Sequence, residues 1–560
     1  MLRWRQGLLR LLPICRLDGV RPSRPFHTSL ASKSKNAAVV LAGAAIAVAS
    51  YSFLPVTYND AVERNTKKQS RTPKTTPFDE ALKIHNIEYH DASKYGIAEI
   101  YGTSLPSNMP CEDRSATEMI SFSSTLGFFM FGVFDGHNGA KTAEKLSKEL
   151  LPYLTLHLAD QYAKAASDSP QSGRNLAEPP DPVVSRKSLH ATLKAAFVEF
   201  DNIMVHESAQ RALNLTEMEY QTLNQTKEAP SDFTPSKETP KPTRGEAFKM
   251  LAEAYAGSCA VVGIYNSFQR SLHVALTGDC RAVLGRRILA PKTEQTGKDN
   301  GSEATTQTHS DPLSNQHVYE VHELSFDHSP KNQAEAEYQK TLHPDEPELL
   351  KNNRFLGWGP SRAFGDGVMK WSLAVQKRLW KECLGDRPRS EEVYKTPPYF
   401  TAEPDITTFE DVKKGDFVVV ASDGLWDCLT NEEVVGLVGK WLEGRNSSQS
   451  AGRSSSAGQS SDKSDQEMVK VNSKSITFKP SKLPVVYPEK YDDSTQMHRY
   501  WRVSKRFILA PQDRDNVAHH LIRNALGGAD TDLTETLHWM EGSRRRRFKD
   551  DITIQVIFFD

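Results

Sequence analysis

Short, strongly apolar runs punctuate the chain at 128–134 (FFMFGVF), 260–264, 272–277, 417–421 (FVVVA) and 552–559 (ITIQVIFF). They are rich in Val, Ile and Phe and are bounded by Gly or Asp, as buried β-strands are. A different period follows Gly139, where Ala143, Leu146, Leu150, Tyr153 and Leu154 fall on one face of a helix. Further helices are expected at 193–204 and near 516–526. Strands outnumber helices and do not alternate strictly with them. That pattern predicts an α+β domain of stacked sheets with outer helices, not a doubly wound parallel sheet.

Between the apolar runs lie low-complexity inserts at about 167–186, 225–244, 293–315 and 447–465. Their polar composition cannot build a core, so each is expected to be a surface loop. No repeat period is visible. A single domain is therefore expected over 90–560, preceded by a polar linker over 57–89. The first 35 residues differ in kind. Arg3, Arg5, Arg10, Arg16, Arg21 and Arg24 face one acid, Asp18, and leucines and Trp4 interleave with the early arginines. This is the pattern of a mitochondrial presequence, with an ordinary basic tail as the alternative. Residues 37–56 then run for twenty positions without a charge, about 30 Å as a helix and long enough to cross a hydrocarbon core. The segment reads as an inner-membrane anchor; an extension of the presequence or an apolar helix packed on the domain are the alternatives. Lys33 and Lys35 precede it and Lys67 and Lys68 follow it, so charge does not orient it.

Composition narrows the function. With 70 Lys+Arg against 71 Asp+Glu the formal net charge is −1, which argues against a nucleic-acid binder working by bulk electrostatics. Hydrophobic residues at 38% and charged residues at 25% suit a globular protein with sizeable loops. The cysteines, at 15, 111, 259, 280, 383 and 428, never form a CxxC pair. A zinc ribbon, a thioredoxin-type site and a dense disulfide framework are thereby excluded, and reduced, packed thiols are expected. There is no Walker or dinucleotide fingerprint.

The acids are placed more informatively than the cysteines. Glu112 and Asp113 precede the 128–134 run, and Asp135 follows it in Phe134-Asp135-Gly136-His137. Asp279 follows 272–277, Asp423 and Asp427 follow 417–421, and Asp550 and Asp551 precede the last run. Asp-Gly is a common turn dipeptide, so Asp135 and Asp423 taken singly could be turn formers, and Asp279 likewise. Asp550 and Asp551 could simply solvate a strand entrance. Turn chemistry does not explain why acids close so many strands. Carboxylates converging at one sheet edge repel by several kcal/mol unless a cation is present. Oxygen-only ligands select hard ions, Mg²⁺ or Mn²⁺, over zinc.

FGVFDGHNG, GDCRAVL, LSFDHSP, SRAFGD, VVVASDGLWD and KDDITIQV occur in that order. Together they resemble the metal-dependent Ser/Thr protein phosphatases of type 2C, from about residue 100 onward. Residues 108–114 (NMPCEDR), 355–366 (FLGWGPSRAFGD) and 397–404 (PPYFTAEP) are similar to the mitochondrial pyruvate dehydrogenase phosphatase branch. The resemblance implies two antiparallel sheets packed as a central sandwich flanked by helices, with two Mg²⁺ or Mn²⁺ ions in a cleft at one end. On matching positions, Asp135 bridges both ions and Asp423 and Asp550 complete the protein ligands of one. Glu112 and the carbonyl of Gly136 serve the other. By the same resemblance, water shared by the ions would be ionised near neutral pH and would attack phosphorus in line, with no covalent enzyme intermediate. His137 is placed as general acid for the serine or threonine alkoxide, or else is a turn histidine bonded to backbone. Asp279 and Asp427 match a third, weaker metal site, and Asp113 would order metal-bound water.

Two departures from the resemblance bear on function. Many relatives carry an arginine where this chain has Asn108, so phosphate binding would rest more on the metals, with Arg114 as a candidate helper. Asp551 stands where many relatives have asparagine and keeps a polar partner beside Asp550. The run Arg544, Arg545, Arg546 and Arg547 either steers an acidic phosphoprotein or is a solvated face. The implied function is a mitochondrial phosphoprotein phosphatase that reactivates the pyruvate dehydrogenase complex. The alternatives are another mitochondrial phosphoprotein as substrate, or a catalytically silent binding module, which the retained Asp135, Asp423 and Asp550 argue against. A presequence followed by a stop-transfer helix would place the domain in the intermembrane space, whereas that complex is a matrix assembly; the sequence leaves the side open.

Overall fold

The computed structural model describes residues 76–89, 93–107, 109–123, 126–168, 183–226, 240–289, 317–454, 475–490, 506–540, 542 and 544–560. The expected presequence, the 37–56 segment, residues 57–75 of the expected linker, the 293–315 insert and Asn108 lie outside them.

The strands that carry the fold are β1 (Ile87–Tyr89), β2 (Ile97–Leu105), β3 (Arg114–Ser121), β4 (Gly127–His137), β5 (Gly257–Asn266), β6 (Ser271–Thr277), β7 (Arg281–Leu289), β8 (His317–Glu323), β9 (Asp405–Phe409), β10 (Phe417–Ala421) and β11 (Ile552–Phe559). One sheet runs β1-β2-β11-β10-β7-β8, and the other β9-β6-β5-β4-β3 with Phe364–Gly365 also paired to β5. Every pairing between these strands is antiparallel.

Side-chain alternation assigns the layers. In β4, Phe129, Phe131 and Val133 join a core shared with Val418, Val420, Ile557 and Phe559 of the other sheet. Their neighbours Phe128, Met130 and Phe134 join the core beneath helices α1 (Lys141–Asp168) and α2 (Arg186–Asn202). On the opposite side Phe417, Val419, Ile554 and Val556 pack with α3 (Asn431–Ser454) and α4 (Val517–Leu526). The order is helices, sheet, sheet, helices, as expected. Central strands buried on both faces need apolar residues at successive positions, which is why they read as continuous runs instead of alternating ones. Local signals start the outer helices. Thr430 and Glu433 cap each other's backbone N–H ahead of α3, and the Asn516 side chain accepts from Ala518 N at the start of α4.

Three expectations need correction. The 128–134 strand continues to His137, with Asp135, Gly136 and His137 opposite Cys259, Ser258 and Gly257, so Asp135 is a strand residue and not a turn former. The folded domain reaches back into the expected linker: helix Pro77–Lys83 buries Phe78 and Leu82, and Asp79 pairs with the buried Arg523. Helices run into two inserts, α1 to Asp168 and α3 to Ser454. A further helical core was not foreseen, in which Val205, Leu213, Leu251, Trp371 and Leu379 pack together. Cys259, Cys280, Cys383 and Cys428 are buried free thiols and Cys111 is half-buried, as expected. Among the described residues no helix is long and apolar enough to cross a membrane.

Candidate active site

The acids gather where strand ends of the two sheets meet. Asp135 lies in β4 of one sheet, and Asp423 and Asp550 flank the paired ends of β10 and β11 in the other, where Ala421 stands opposite Ile554. The backbone N–H of Asp423 donates to Asp135 Oδ2 at 3.3 Å. Asp279 sits in the bend joining β6 to β7, which crosses from one sheet to the other. The glycines after two of these acids are explained by close approach. A Cβ on Gly136 would lie 2.4 Å from the carbonyl oxygen of Glu112, and one on Gly424 would lie 2.2 Å from that of Asp551. Asp-Gly here marks backbone crossing backbone, not a turn.

Ser107 and Glu112 are both pinned by Asp551. Its carboxylate accepts from Ser107 N and, at 2.8 Å, from Glu112 N. Glu112 Oε1 accepts from Gly139 N at 2.6 Å, and Glu112 Oε2 meets Arg546 Nη2 at 3.0 Å. Asp550 Oδ1 accepts from Asp551 N at 2.8 Å. Asp113 is buried, and neither of its carboxylate oxygens meets a donor at hydrogen-bonding geometry, although the Ser422 and Thr553 hydroxyls are near enough to favour its anion slightly.

Electrostatics follow from this crowding. Burial, then the charges of Asp423, Asp113, Asp279 and Asp550, holds the Asp135 carboxyl well above the usual carboxylate range. Asp423 is likewise held well above it by burial and by Asp279, Asp427 and Asp550. Asp113 is pushed up to about 8 by burial and Asp551, and Asp427 to about 6 by burial against the opposing pull of Lys331. Asp279 and Asp550 are also raised, by burial first. Such a cluster is stable as anions only with added positive charge. Among the described residues no three Asp, Glu, His or Cys side chains already stand in ready-made ligating geometry. The fit to hard divalent ions lies in the donor chemistry: carboxylates and a carbonyl, mutually repelling, one of them with no donor.

His137 stands at the rim. Its Nε2 lies 2.6 Å from Asp366 Oδ2, and the Trp358 ring makes a T-shaped contact with it, centroids 5.7 Å apart. Burial works against the imidazolium, but Asp366 with Asp279 and Glu112 outweighs it and raises the pKa. This histidine is carboxylate-paired, not bonded to a turn backbone. Asp366 is wholly buried and backbone-strained, with φ +45°. Asp201 bonds Gly365 N and Lys370 Nζ on either side of it, at 2.8 and 2.6 Å. Sequence reasoning missed Asp366 as a partner, although the SRAFGD motif contains it. Asn108 lies outside the described residues. Arg114 spends Nη1 on the carbonyls of Cys111 and Asp113, both at 2.7 Å.

The family pattern described as "Protein phosphatase 2C" matches residues 108–463. A "Protein phosphatase 2C homolog" of Schizosaccharomyces pombe is 30% identical over 84% of this chain and 82% of its own length. The chain belongs to the protein phosphatase 2C family. It is a protein serine/threonine phosphatase, and the family is metal-dependent, generally on Mg²⁺ or Mn²⁺. This protein phosphatase 2C is also similar to "[Pyruvate dehydrogenase [acetyl-transferring]]-phosphatase 1, mitochondrial" of Saccharomyces cerevisiae, 29% identical over 83% of this chain and 68% of that one. The human protein of the same description is 27% identical over 81% of this chain and 76% of its own.

Proposed function

We propose that this phosphatase works in the mitochondrion on phosphoserine or phosphothreonine of the pyruvate dehydrogenase complex. The observation that carries the chemistry is the cluster of acids around Asp135, which raise one another's pKa, with a carboxylate-paired histidine at its rim. The arginine-rich, acid-poor first 35 residues and the mitochondrial relatives support the location and the substrate.

Asp135, Asp423 and Asp550 would hold one divalent ion, and Asp135 with Glu112 and the Gly136 carbonyl a second. Asp279 and Asp427 would take a weaker third. When bound, Mg²⁺ or Mn²⁺ supplies the Lewis acidity that activates water and screens the phosphate. Asp113, buried behind these ligands, would orient water. His137 delivers a proton to the serine or threonine oxygen as its bond to phosphorus breaks, and Asp366 holds the ring by Nε2 while that proton moves. A low-pKa nucleophile is not needed, and burial pushes the thiols of Cys259 and Cys280 well up, so neither serves as one.

The test uses purified protein with phosphorylated pyruvate dehydrogenase and with an unrelated phosphoserine peptide. Mn²⁺-dependent release of phosphate from both, stopped by chelator and by Asp135→Asn, is expected, with the dehydrogenase turned over faster. Equal rates on every phosphoprotein would remove the substrate assignment. Activity indifferent to chelator would remove the metal chemistry.

A further inference from the structure

The four arginines ahead of Asp550 do not form one patch. Arg544 lies with its guanidinium 5.8 Å from the Phe548 ring centroid, Arg545 is half-buried, and Arg547 is exposed. Arg546 turns to the acids. Its Nη2 stands 3.0 Å from Glu112 Oε2 on a side chain that is 61% exposed. Its charge also reaches Asp550, lowering a pKa that burial raises.

We propose that Arg546 grips the substrate's phosphate, supplying the cation that position 108 lacks; this rests on the phosphatase reading above. A phosphoserine dianion approaching a carboxylate cluster needs a permanent cation at the rim, free to move, with donors to spare. Arg546 meets each requirement. It is exposed, it touches Glu112 through one nitrogen, and the rest of its planar fork matches two phosphate oxygens. Ions held by the acids would replace Arg546 as the counter-charge of Glu112 and free it to turn to the incoming anion. Two other cations near the acids are less suited. Arg114 is tied through Nη1 to two carbonyls of its own loop, and its charge is felt at His85. Lys331 acts on Asp279 and Asp427 and offers a point charge without a fork.

The experiment uses the full chain at saturating Mn²⁺, with a phosphoserine peptide as substrate and inorganic phosphate as inhibitor. Arg546→Ala is expected to raise KM and the phosphate inhibition constant together by about tenfold, with kcat changed by less than about threefold. Arg546→Lys should give an intermediate loss, and Arg547→Ala should change neither constant. If Arg546→Ala leaves KM and phosphate inhibition within about twofold of wild type, or shifts only the half-saturating Mn²⁺ concentration, the proposal is overturned and Arg546 is merely a counter-ion of Glu112. A wild-type chain with no hydrolytic activity would remove the phosphatase reading instead, and calorimetric binding of inorganic phosphate to wild type and Arg546→Ala would then decide the arginine's role by itself.

Discussion

Gly257, at the start of β5, is the position on which the His137–Asp366 contact depends. A Cβ there would lie 2.2 Å from His137 Nε2 and 2.3 Å from Asp366 Oδ2, more than about 1 Å inside ordinary van der Waals contact. Asp366 is wholly buried and cannot swing aside. Gly257→Ala must therefore push the imidazole and the carboxylate away from each other, breaking a contact now 2.6 Å long. A general acid contributes about 10²–10⁴-fold, and misplacing a reacting group by about 1 Å costs on the order of 100-fold. For a phosphoserine peptide, whose alkoxide needs a proton, kcat should fall about 100-fold. For p-nitrophenyl phosphate, whose leaving group is stable as an anion, it should fall less than about fivefold. Overpacking should also cost about 1–3 kcal/mol of stability. Measuring both substrates on one preparation at saturating metal cancels any unfolded fraction. Asp366→Asn, which keeps the shape and removes the charge, should show the same split. Equal losses on the two substrates, or none on phosphoserine, would refute proton donation by His137.

Asp423→Asn should abolish activity yet raise the melting temperature in chelator at pH 7.5 by a few degrees. The wild-type carboxyl is held well above its ordinary range by burial and neighbouring acids, so the ion-free fold loses stability as pH rises past that range; a lower melting point would contradict this. Arg523→Met leaves the carboxylates of Asp79 and Asp513, both buried against Arg523, without their cation. It should cost about 3–5 kcal/mol in urea unfolding, and a neutral effect would show the triad to be dispensable. Burial pushes His520 down to about 3, below its unfolded value, so its contribution is intact above pH 6.5 and is lost as pH falls. Relative to His520→Gln, wild type should lose about 1.4 kcal/mol per pH unit below 6.5; parallel pH curves for the two proteins would exclude it.

Legibility in the sequence followed burial. The runs 417–421 and 552–559 coincide with β10 and β11 because these strands are covered on both faces and sit at the middle of their sheet. β3 lies at a sheet edge and is mostly half-buried, so RSATEMIS carries no apolar run to find. The acids announced themselves by position at strand ends, but the reason for their glycines did not, since it requires knowing which backbone crosses which. Asp551 read as a polar companion of Asp550, yet it ties down Ser107 and Glu112 from more than four hundred residues away in the chain. Asp366 is separated from His137 by 229 positions, and no periodicity connects them. Of four successive arginines, composition could not single out the one that turns to Glu112.

β11 fills the gap between β2 and β10, with Leu105 opposite Ile552. Until β11 pairs between β2 and β10, the first sheet is missing its middle and Glu112 lacks the hold that Asp551 gives its backbone. A chain that has not yet added its last strand also lacks Asp550 and Asp551, so its cluster of acids is incomplete.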